Sequence, residues 1–257
     1  MLIATWNVNS IQARLEQVHA WLKEVQPDVL LLQELKCMTE AFPQEAFDDL
    51  NYNMAVHGQK TYNGVAILSK TPIEDVVTTF AGQEEDPQAR YIEGFTGNLR
   101  LASVYVPNGQ EVGSDKFEYK LGFLKNLKNH LQDIFYQETP FAIGGDFNVA
   151  PFDGDAYDPR FFKSNHILCS LPERKALREI LNLGYGDALR MIHPKLENLF
   201  TWWDYRAASF QNDHGFRIDH ILLSGHAMDR LEDAFVDKNP RSNERPSDHT
   251  PVCIKLR

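Results

Sequence analysis

A chain of 257 residues lies near the upper limit for one domain and can bury a large core. Its hydrophobic content of 43% and charged content of 24% are ordinary for a globular protein, and no apolar run approaches the ~18–20 residues of a membrane helix, so no membrane partner is expected. The formal net charge of −10 argues against broad, charge-driven attachment to nucleic acid; a nucleic-acid enzyme with this balance needs local basic patches and a cation to offset its own acids.

Met1 to Asn7 runs straight into an alternating segment, without the basic stretch and long apolar core of a signal peptide. Leu2 to Val8 reads as a strand ending in polar Asn9 and Ser10. Ser10 is placed to cap a helix whose apolar face is Ile11, Leu15, Val18, Leu22 and Val25, with Pro27 as its stop. Val29 to Leu32 is a continuously apolar strand, the pattern expected where both faces are buried, and it delivers Gln33 and Glu34 at its end. This strand–helix–strand unit predicts Asn7 and Glu34 at corresponding strand ends, where α/β proteins collect ligands.

A short helix is predicted over Gln44 to Leu50, and strands over Val65 to Leu68 and Leu99 to Val106, the last running into Pro107-Asn108-Gly109. Leu124, Leu127, Leu131 and Ile134 have the spacing of a second crossover helix, about Lys116 to Phe135. A further helix covers Glu173 to Leu183, with Pro172 just before it. Strands are expected over Ile218 to Leu223 and Pro251 to Leu256. No repeat, low-complexity tract or long linker interrupts the chain, and the 83–88 and 151–159 stretches read as polar loops within a single domain, 1–257. Cys37, Cys169 and Cys253 are odd in number and scattered, as free thiols of a reducing compartment are, so a cytoplasmic location is expected.

Ile143-Gly-Gly-Asp146-Phe-Asn148 is the densest chemical signal. Residues two apart on a strand share a face, which projects Asp146 and Asn148 together and turns Phe147 into the core. Gly144 and Gly145 leave room for backbone or substrate to approach. A carboxylate beside a carboxamide holds a water or a hard metal ion; the plainer reading is a strand end running into an Asx turn. Polar residues recur at other predicted strand ends: Asn7, Glu34, Tyr105, Asp219 and Asp248-His249. Several carboxylates gathered on one sheet edge repel one another unless a cation neutralises them, and oxygen ligands select Mg2+, Ca2+ or Mn2+ over zinc.

The blocks Trp6-Asn-Val-Asn9, Leu32-Gln-Glu34-Leu-Lys36, Tyr105-Val-Pro-Asn-Gly109, Gly145-Asp-Phe-Asn148, Arg217-Ile-Asp219 and Pro246-Ser-Asp248-His249 resemble, in order, those of the exonuclease III and apurinic/apyrimidinic endonuclease family, within the endonuclease/exonuclease/phosphatase superfamily. Each block alone is weak; six in order across nearly the whole chain are specific. The 58–64, 169–174 and 201–206 stretches also resemble exonuclease III more than the lipid or inositol phosphatases of the superfamily. The resemblance implies an α/β fold of four layers, a DNase I-like α/β/β/α sandwich of two packed mixed sheets flanked by helices. It implies Mg2+- or Mn2+-dependent hydrolysis of phosphodiesters in double-stranded DNA by a monomer acting at 3′ ends, with abasic-site incision and 3′-phosphatase action open as further activities.

By the same resemblance, Glu34 is the principal metal ligand, with Asn7 and Asp248 nearby and Asp146, Asn148 and His249 in the same set. Asp146 is the base for the attacking water, Asn148 holds that water or the phosphate, His249 contacts a phosphate oxygen with Asp219 behind it, and Tyr105 lies close to the scissile group. Lys60, Tyr62, Arg90, Asn108, Arg206 and Arg217 are candidate DNA contacts. Trp202, Trp203, Phe216 and Ile218 resemble an apolar pocket for an extruded sugar, and the 151–167 loop departs from the family pattern in a place that bears on access to abasic sites. Two rivals remain: a superfamily phosphatase or phospholipase on a non-nucleic-acid substrate, which the acidic charge favours, and a non-catalytic DNA-binding relative, which would lack a carboxylate or His249.

Overall fold

In the computed structural model, which describes residues 1–257, the chain begins with β1 (Leu2–Asn7), α1 (Leu15–Val25) and β2 (Val29–Gln33). There follow β3 (Asn53–His57), β4 (Val65–Ser69), β5 (Glu74–Val77), β6 (Tyr91–Thr96), β7 (Leu99–Tyr105), α2 (Asp115–Tyr136) and β8 (Phe141–Asp146). The remainder is α3 (Leu171–Leu181), β9 (Gly186–Asp187), α4 (Ala188–Ile192), β10 (Asp219–Leu223), α5 (Gly225–Met228), β11 (Leu231–Val236) and β12 (Val252–Leu256). No helix is long and apolar enough to cross a membrane.

Two six-stranded mixed sheets form, ordered β11-β12-β1-β2-β4-β3 and β5-β6-β7-β8-β10-β9. Each is built around one parallel pair joined by a helical crossover: β1–α1–β2 in the first and β7–α2–β8 in the second. All other pairings are antiparallel. This polarity decides where the chemistry collects. A strand parallel to β1 or β8 reaches the shared edge with its last residue, and an antiparallel neighbour reaches it with its first. Asn7 and Gln33 therefore sit opposite one another, as do Tyr105 and Asp146, while Asp219 faces Asp146 from the start of β10.

The layers follow from which face of each strand is apolar. Ile3, Leu31 and Ile67 meet Ile92, Leu101 and Ile221 between the sheets. Trp6, Leu30 and Leu32 turn outward under Val18, Trp21 and Leu22 of α1. Phe141, Ile143 and Val104 turn outward under Leu124, Leu127 and Leu131 of α2 and Leu177 and Ile180 of α3. The result is helix, sheet, sheet, helices: the four-layer α/β/β/α sandwich. A small polar tie near the chemical edge joins the sheets, with Gln33 Nε2 donating to Thr5 and Ser103 hydroxyls at 2.9 Å each and Ser103 Oγ donating to the Leu32 carbonyl.

Three local expectations differ. The first helix starts at Leu15, not after Ser10, because Ser10 and Ile11 instead donate their backbone N–H groups to the Glu34 and Leu35 carbonyls at 2.8 and 3.1 Å, extending the β1–β2 pairing. Of the two uses expected for the close-approach glycines, backbone and sheet packing is the one found and substrate is not: a side chain on Gly144 would meet Leu31 and Thr5 of the other sheet, and one on Gly145 would strike the Val104 carbonyl. β3, β5, β6, β9 and β11 were not foreseen. β5 is exposed throughout, and β6 hides a fully buried Glu93 satisfied by Tyr91, Arg100 and His130, so neither shows the expected alternation.

Arg217, proposed above as a DNA contact, is fully buried. Its Nε and Nη2 donate to Asp155 at 2.7 and 2.9 Å and its Nη1 to Asp187 at 2.7 Å, tying the 151–167 loop to β9. Burial alone would raise both carboxyls, but Arg217 outweighs it and holds them below the usual carboxylate range. Breaking such a buried pair from one side costs ~3–5 kcal/mol, so Asp155→Asn should lower the denaturant midpoint markedly at neutral pH. Because the folded-state values are depressed, the ionic stabilisation is complete above the ordinary Asp value of about 3.9 and is lost as pH falls through the folded values. Wild type and Asp155→Asn should therefore converge in stability in acid; a gap independent of pH would exclude the ionic account.

Candidate active site

Asn7 closes β1, Glu34 follows β2 and Asp146 closes β8, and one carboxamide joins them. Asn7 Nδ2 donates to Glu34 Oε1 at 2.9 Å and to Asp146 Oδ2 at 3.0 Å, while its Oδ1 accepts from the Asn9 N–H. In this orientation Asn7 reaches the acids as a donor, and its oxygen is turned away from them. Lys36 lies 2.9 Å from the other Glu34 oxygen. Ligand atoms of Glu34, Asp146 and His249 lie within 4.8 Å of one another.

Asp146 and Asn148 come together as expected, but through a turn rather than a shared strand face. β8 ends at Asp146, Asn148 adopts a left-handed backbone (φ 50°), and its N–H donates to Asp146 Oδ1 at 2.8 Å, an Asx turn. Phe147 between them is buried. The Asn148 side chain is itself fixed, donating to the Val106 carbonyl and accepting from Asn108 Nδ2, both at 3.0 Å.

His249 is buried between two acids. Its Nδ1 is 2.9 Å from Asp219 Oδ2 and its Nε2 is 3.6 Å from Asp146 Oδ2. Thr201 Oγ1 donates to the same Asp219 oxygen at 2.6 Å, so Asp219 is held from both sides. Burial alone would lower the His249 pKa; Asp219 and then Asp146 outweigh it and raise it to about 10. Asp146 is pushed up to about 7, by burial first, with His249 opposing and Asp219 and Glu34 adding like charge. Burial, then the Glu34 and Asp146 charges, push the Tyr105 hydroxyl well above its ordinary value.

Asp248 lies in the same cleft but outside the tight group of Glu34, Asp146 and His249. Its carboxylate accepts from Trp202 Nε1 and Asn9 Nδ2, both at 2.9 Å. His249 stays within the group whose ligand atoms could meet one metal ion, with its Nε2 turned toward Asp146 and its Nδ1 toward Asp219. The donors fit a hard cation: Glu34 and Asp146 present carboxylate oxygens in a site where burial first, and neighbouring acids second, push one carboxyl toward neutrality, and no thiol is in the group.

These groups line one end of an open cleft of about 620 Å³. Its other walls are Tyr157, Phe161, His166, Ile167 and Leu168 from the segment before α3, facing Trp202, Phe216 and Ile218. His166 stacks on Phe216 with ring centroids 5.9 Å apart and planes 11° apart, and Phe161 packs against the same ring at 5.3 Å. Arg206 reaches the cleft but is paired with Asp204 at 2.8 Å. Arg90 lies over the Tyr105 ring at 4.9 Å and lines an adjoining groove with Tyr62 and Asn108. Lys60 is exposed and lines neither. Trp203 is a correction: it is fully buried, with Nε1 donating to Asp213 and Lys238 over its face, so it packs the core while its neighbour Trp202 faces the cleft. Lys36, Thr201 and His166 were missed as site residues; the first two stand inside blocks already singled out, whereas nothing local marks His166.

The family model for the endonuclease/exonuclease/phosphatase family matches residues 4–249. Exodeoxyribonuclease III of Haemophilus influenzae is 35% identical, with all of both chains covered. Among solved structures, a 3′ phosphatase from Neisseria bound to a product DNA hairpin is 41% identical, covers 100% of this chain and 99% of its own, and superposes with a TM-score of 0.96. An AP endonuclease from Archaeoglobus fulgidus is 37% identical over 100% and 99% of the two chains, with a TM-score of 0.94.

The electrostatics have a direct readout. In metal-free protein, NMR titration should place the His249 imidazole near 10 and the Asp146 carboxyl near 7. Asp219→Asn should return His249 toward about 6.5, and added Mg2+ should move the Asp146 transition to lower pH. A His249 that titrates in its ordinary range in the wild-type protein would contradict the paired-acid geometry.

Proposed function

The chain belongs to the endonuclease/exonuclease/phosphatase family, and from that premise we propose that it is a metal-dependent DNA-repair nuclease that hydrolyses phosphate esters at damaged or blocked 3′ ends of duplex DNA. The observation that carries this reading is the pairing of a buried, near-neutral Asp146 with a cationic His249 at the mouth of an aromatic-walled cleft. In the metal-free site the Asp146 carboxyl is pushed up to about 7, chiefly by burial, which suits a group that must take a proton near neutral pH. A charged imidazole offers a donor where a phosphoryl oxygen gains negative charge.

In this proposal Asp146 orients and deprotonates the attacking water, and Asn148 fixes the water or phosphate beside it. His249 donates to the phosphate, and Asp219, braced by Thr201, keeps the imidazole charged and aimed. Tyr105, neutral at working pH, offers its hydroxyl next to Glu34 and Asp146. Glu34 and Asp146 would hold the divalent ion, Mg2+ or Mn2+, which supplies positive charge opposite the charge developing on phosphate. Asp248, fixed by Asn9 and Trp202, lines the same cleft beside His249 and would act on the ion directly or through water. Arg90, Asn108 and Arg206 rim the cleft and the groove beside it as candidate DNA contacts, with Arg90 the cation not already paired with an acid and Arg206 held by Asp204.

The 3′-end preference rests on the cleft wall. Tyr157, Phe161 and His166 pack around Phe216, so a sugar displaced from the middle of a duplex must seat against these rings, whereas a 3′-terminal phosphate needs little of them. The Neisseria relative described as a 3′ phosphatase supports this choice; the Archaeoglobus relative described as an AP endonuclease supports abasic incision as the second activity.

Excess EDTA should abolish activity and Mg2+ or Mn2+ should restore it; full turnover in chelator would sink the proposal. Asp146→Asn should lower kcat by ~10²–10⁴-fold while DNA binding survives, as read by single-turnover kinetics and a filter-binding assay. Assayed side by side, duplexes with a 3′-phosphate should be processed faster than a recessed 3′ end, and an internal abasic analogue slowest. Phe216→Ala should cost the abasic substrate more than the 3′-phosphate, by roughly 5–150-fold. A melting curve is the control, because Phe→Ala in a core typically costs ~3–5 kcal/mol; equal losses on all substrates with a sharply lowered Tm would make Phe216 a packing residue only.

A further inference from the structure

Lys120, on the inner face of α2, is a fully buried lysine outside the cleft. Its Nζ has three hydrogens and three partners: the Asn148 carbonyl at 2.7 Å, the Asn108 carbonyl at 3.1 Å and the Glu173 carboxylate. Glu173, in the first turn of α3, also accepts the Leu168 and Ser170 N–H groups at 3.1 Å each and the Ser170 hydroxyl. One ammonium therefore joins three loops: those after β7 and β8 and the one before α3. Each contributes a cleft residue, respectively Asn108, Asn148 and Leu168.

A buried ion pair is a poor way to gain stability, since desolvation of both charges offsets most of their attraction and apolar residues of similar volume do as well. What this pair supplies is placement. Asn148 sits in the left-handed backbone region, which asparagine tolerates better than most residues with a side chain. Its N–H is fixed by Asp146 and its carbonyl by Lys120, so both flanking peptides are pinned. Asn108, whose carbonyl is tied to the same ammonium, in turn donates to the Asn148 side chain.

We infer that Lys120, backed by Glu173, is a positioning residue for the hydrolytic step: its bonds to the Asn148 and Asn108 carbonyls hold the Asn148 carboxamide beside Asp146. The inference rests on the role given to Asn148 in the proposed function.

The test is a mutant cycle on a 3′-phosphate duplex with Mg2+. Lys120→Met combined with Glu173→Gln removes the ammonium without leaving a buried charge. In the otherwise wild-type protein this pair should lower kcat by ~10–100-fold, the scale of a misplacement of about 1 Å, with KM little changed. In an Asn148→Ala background the same pair should cost on the order of threefold or less, because the group it positions is gone. An unchanged kcat, or an equal loss in both backgrounds, overturns the inference. If Asn148→Ala alone is near wild type, the role of Asn148 fails first, and that outcome is distinguishable from an Asn148→Ala enzyme that is slow but responds additively to the pair. Should the pair not fold, Lys120→Arg carries the same cycle: it keeps the charge but cannot set one nitrogen between both carbonyls, and the same loss of kcat, absent in the Asn148→Ala background, is expected.

Discussion

The structure turns on a concentration of negative charge gathered at the end of the cleft, where most of it is withdrawn from bulk solvent. Asp146 and Asp219 are buried and Glu34 stands beside them at the edge where the two sheets meet. Unpaired, such a group is costly enough that its members give up their charge instead. The chain answers with cationic His249 between the two aspartates, the Asn7 amide between Glu34 and Asp146, and Lys36 beside Glu34. Burial, with the Asp219 and Glu34 charges added to it, still holds Asp146 up to about 7. That placement leaves the carboxylate able to take a proton and to offer oxygen to a divalent ion.

Holding the acids there is a matter of strand direction, and shaping the space in front of them is a matter of loops. Neither sheet alone assembles the site: Asn7 and Glu34 come from one, Tyr105, Asp146 and Asp219 from the other, and His249 from the entry to β12. Two buried ion-pair systems then set the walls. Arg217 with Asp155 and Asp187 fastens the segment carrying Tyr157 and Phe161, and Lys120 with Glu173 fastens the turns carrying Asn108, Asn148 and Leu168. Both hold irregular backbone, which has no ladder of its own to keep it in register. The acidic surface and a DNA substrate are reconciled locally, since the cations near the cleft are few and the ion supplies further positive charge at the point of reaction.

Much of this was legible in the residues. The apolar runs at Val29–Leu32 and Phe141–Ile143 and the helical spacing of Leu124, Leu127 and Leu131 located the central strands and the crossover helix, because burial on a regular element leaves a period in the sequence. The peripheral strands β5 and β11 were not legible, since exposed edges carry no such period, nor was β6, whose Glu93 is buried by partners far along the chain. The six blocks marked the polar residues of the site, but not which of two adjacent tryptophans faces the cleft or that Arg217 is sealed beneath it.

The sequence by itself therefore determined the family, the α/β class and the identity of the acids, since these depend on residue type and order. Tertiary structure alone decided that Asn7 meets the acids through its nitrogen, that Asp248 is engaged by Asn9 and Trp202, and that His166 stacks on Phe216 in the cleft wall. It also decided that Lys120 lies under Asn148. Each of these depends on the direction in which a side chain leaves a turn and on the charge already standing where it arrives. Those are properties of segments tens of residues apart, brought together only when the two sheets pack.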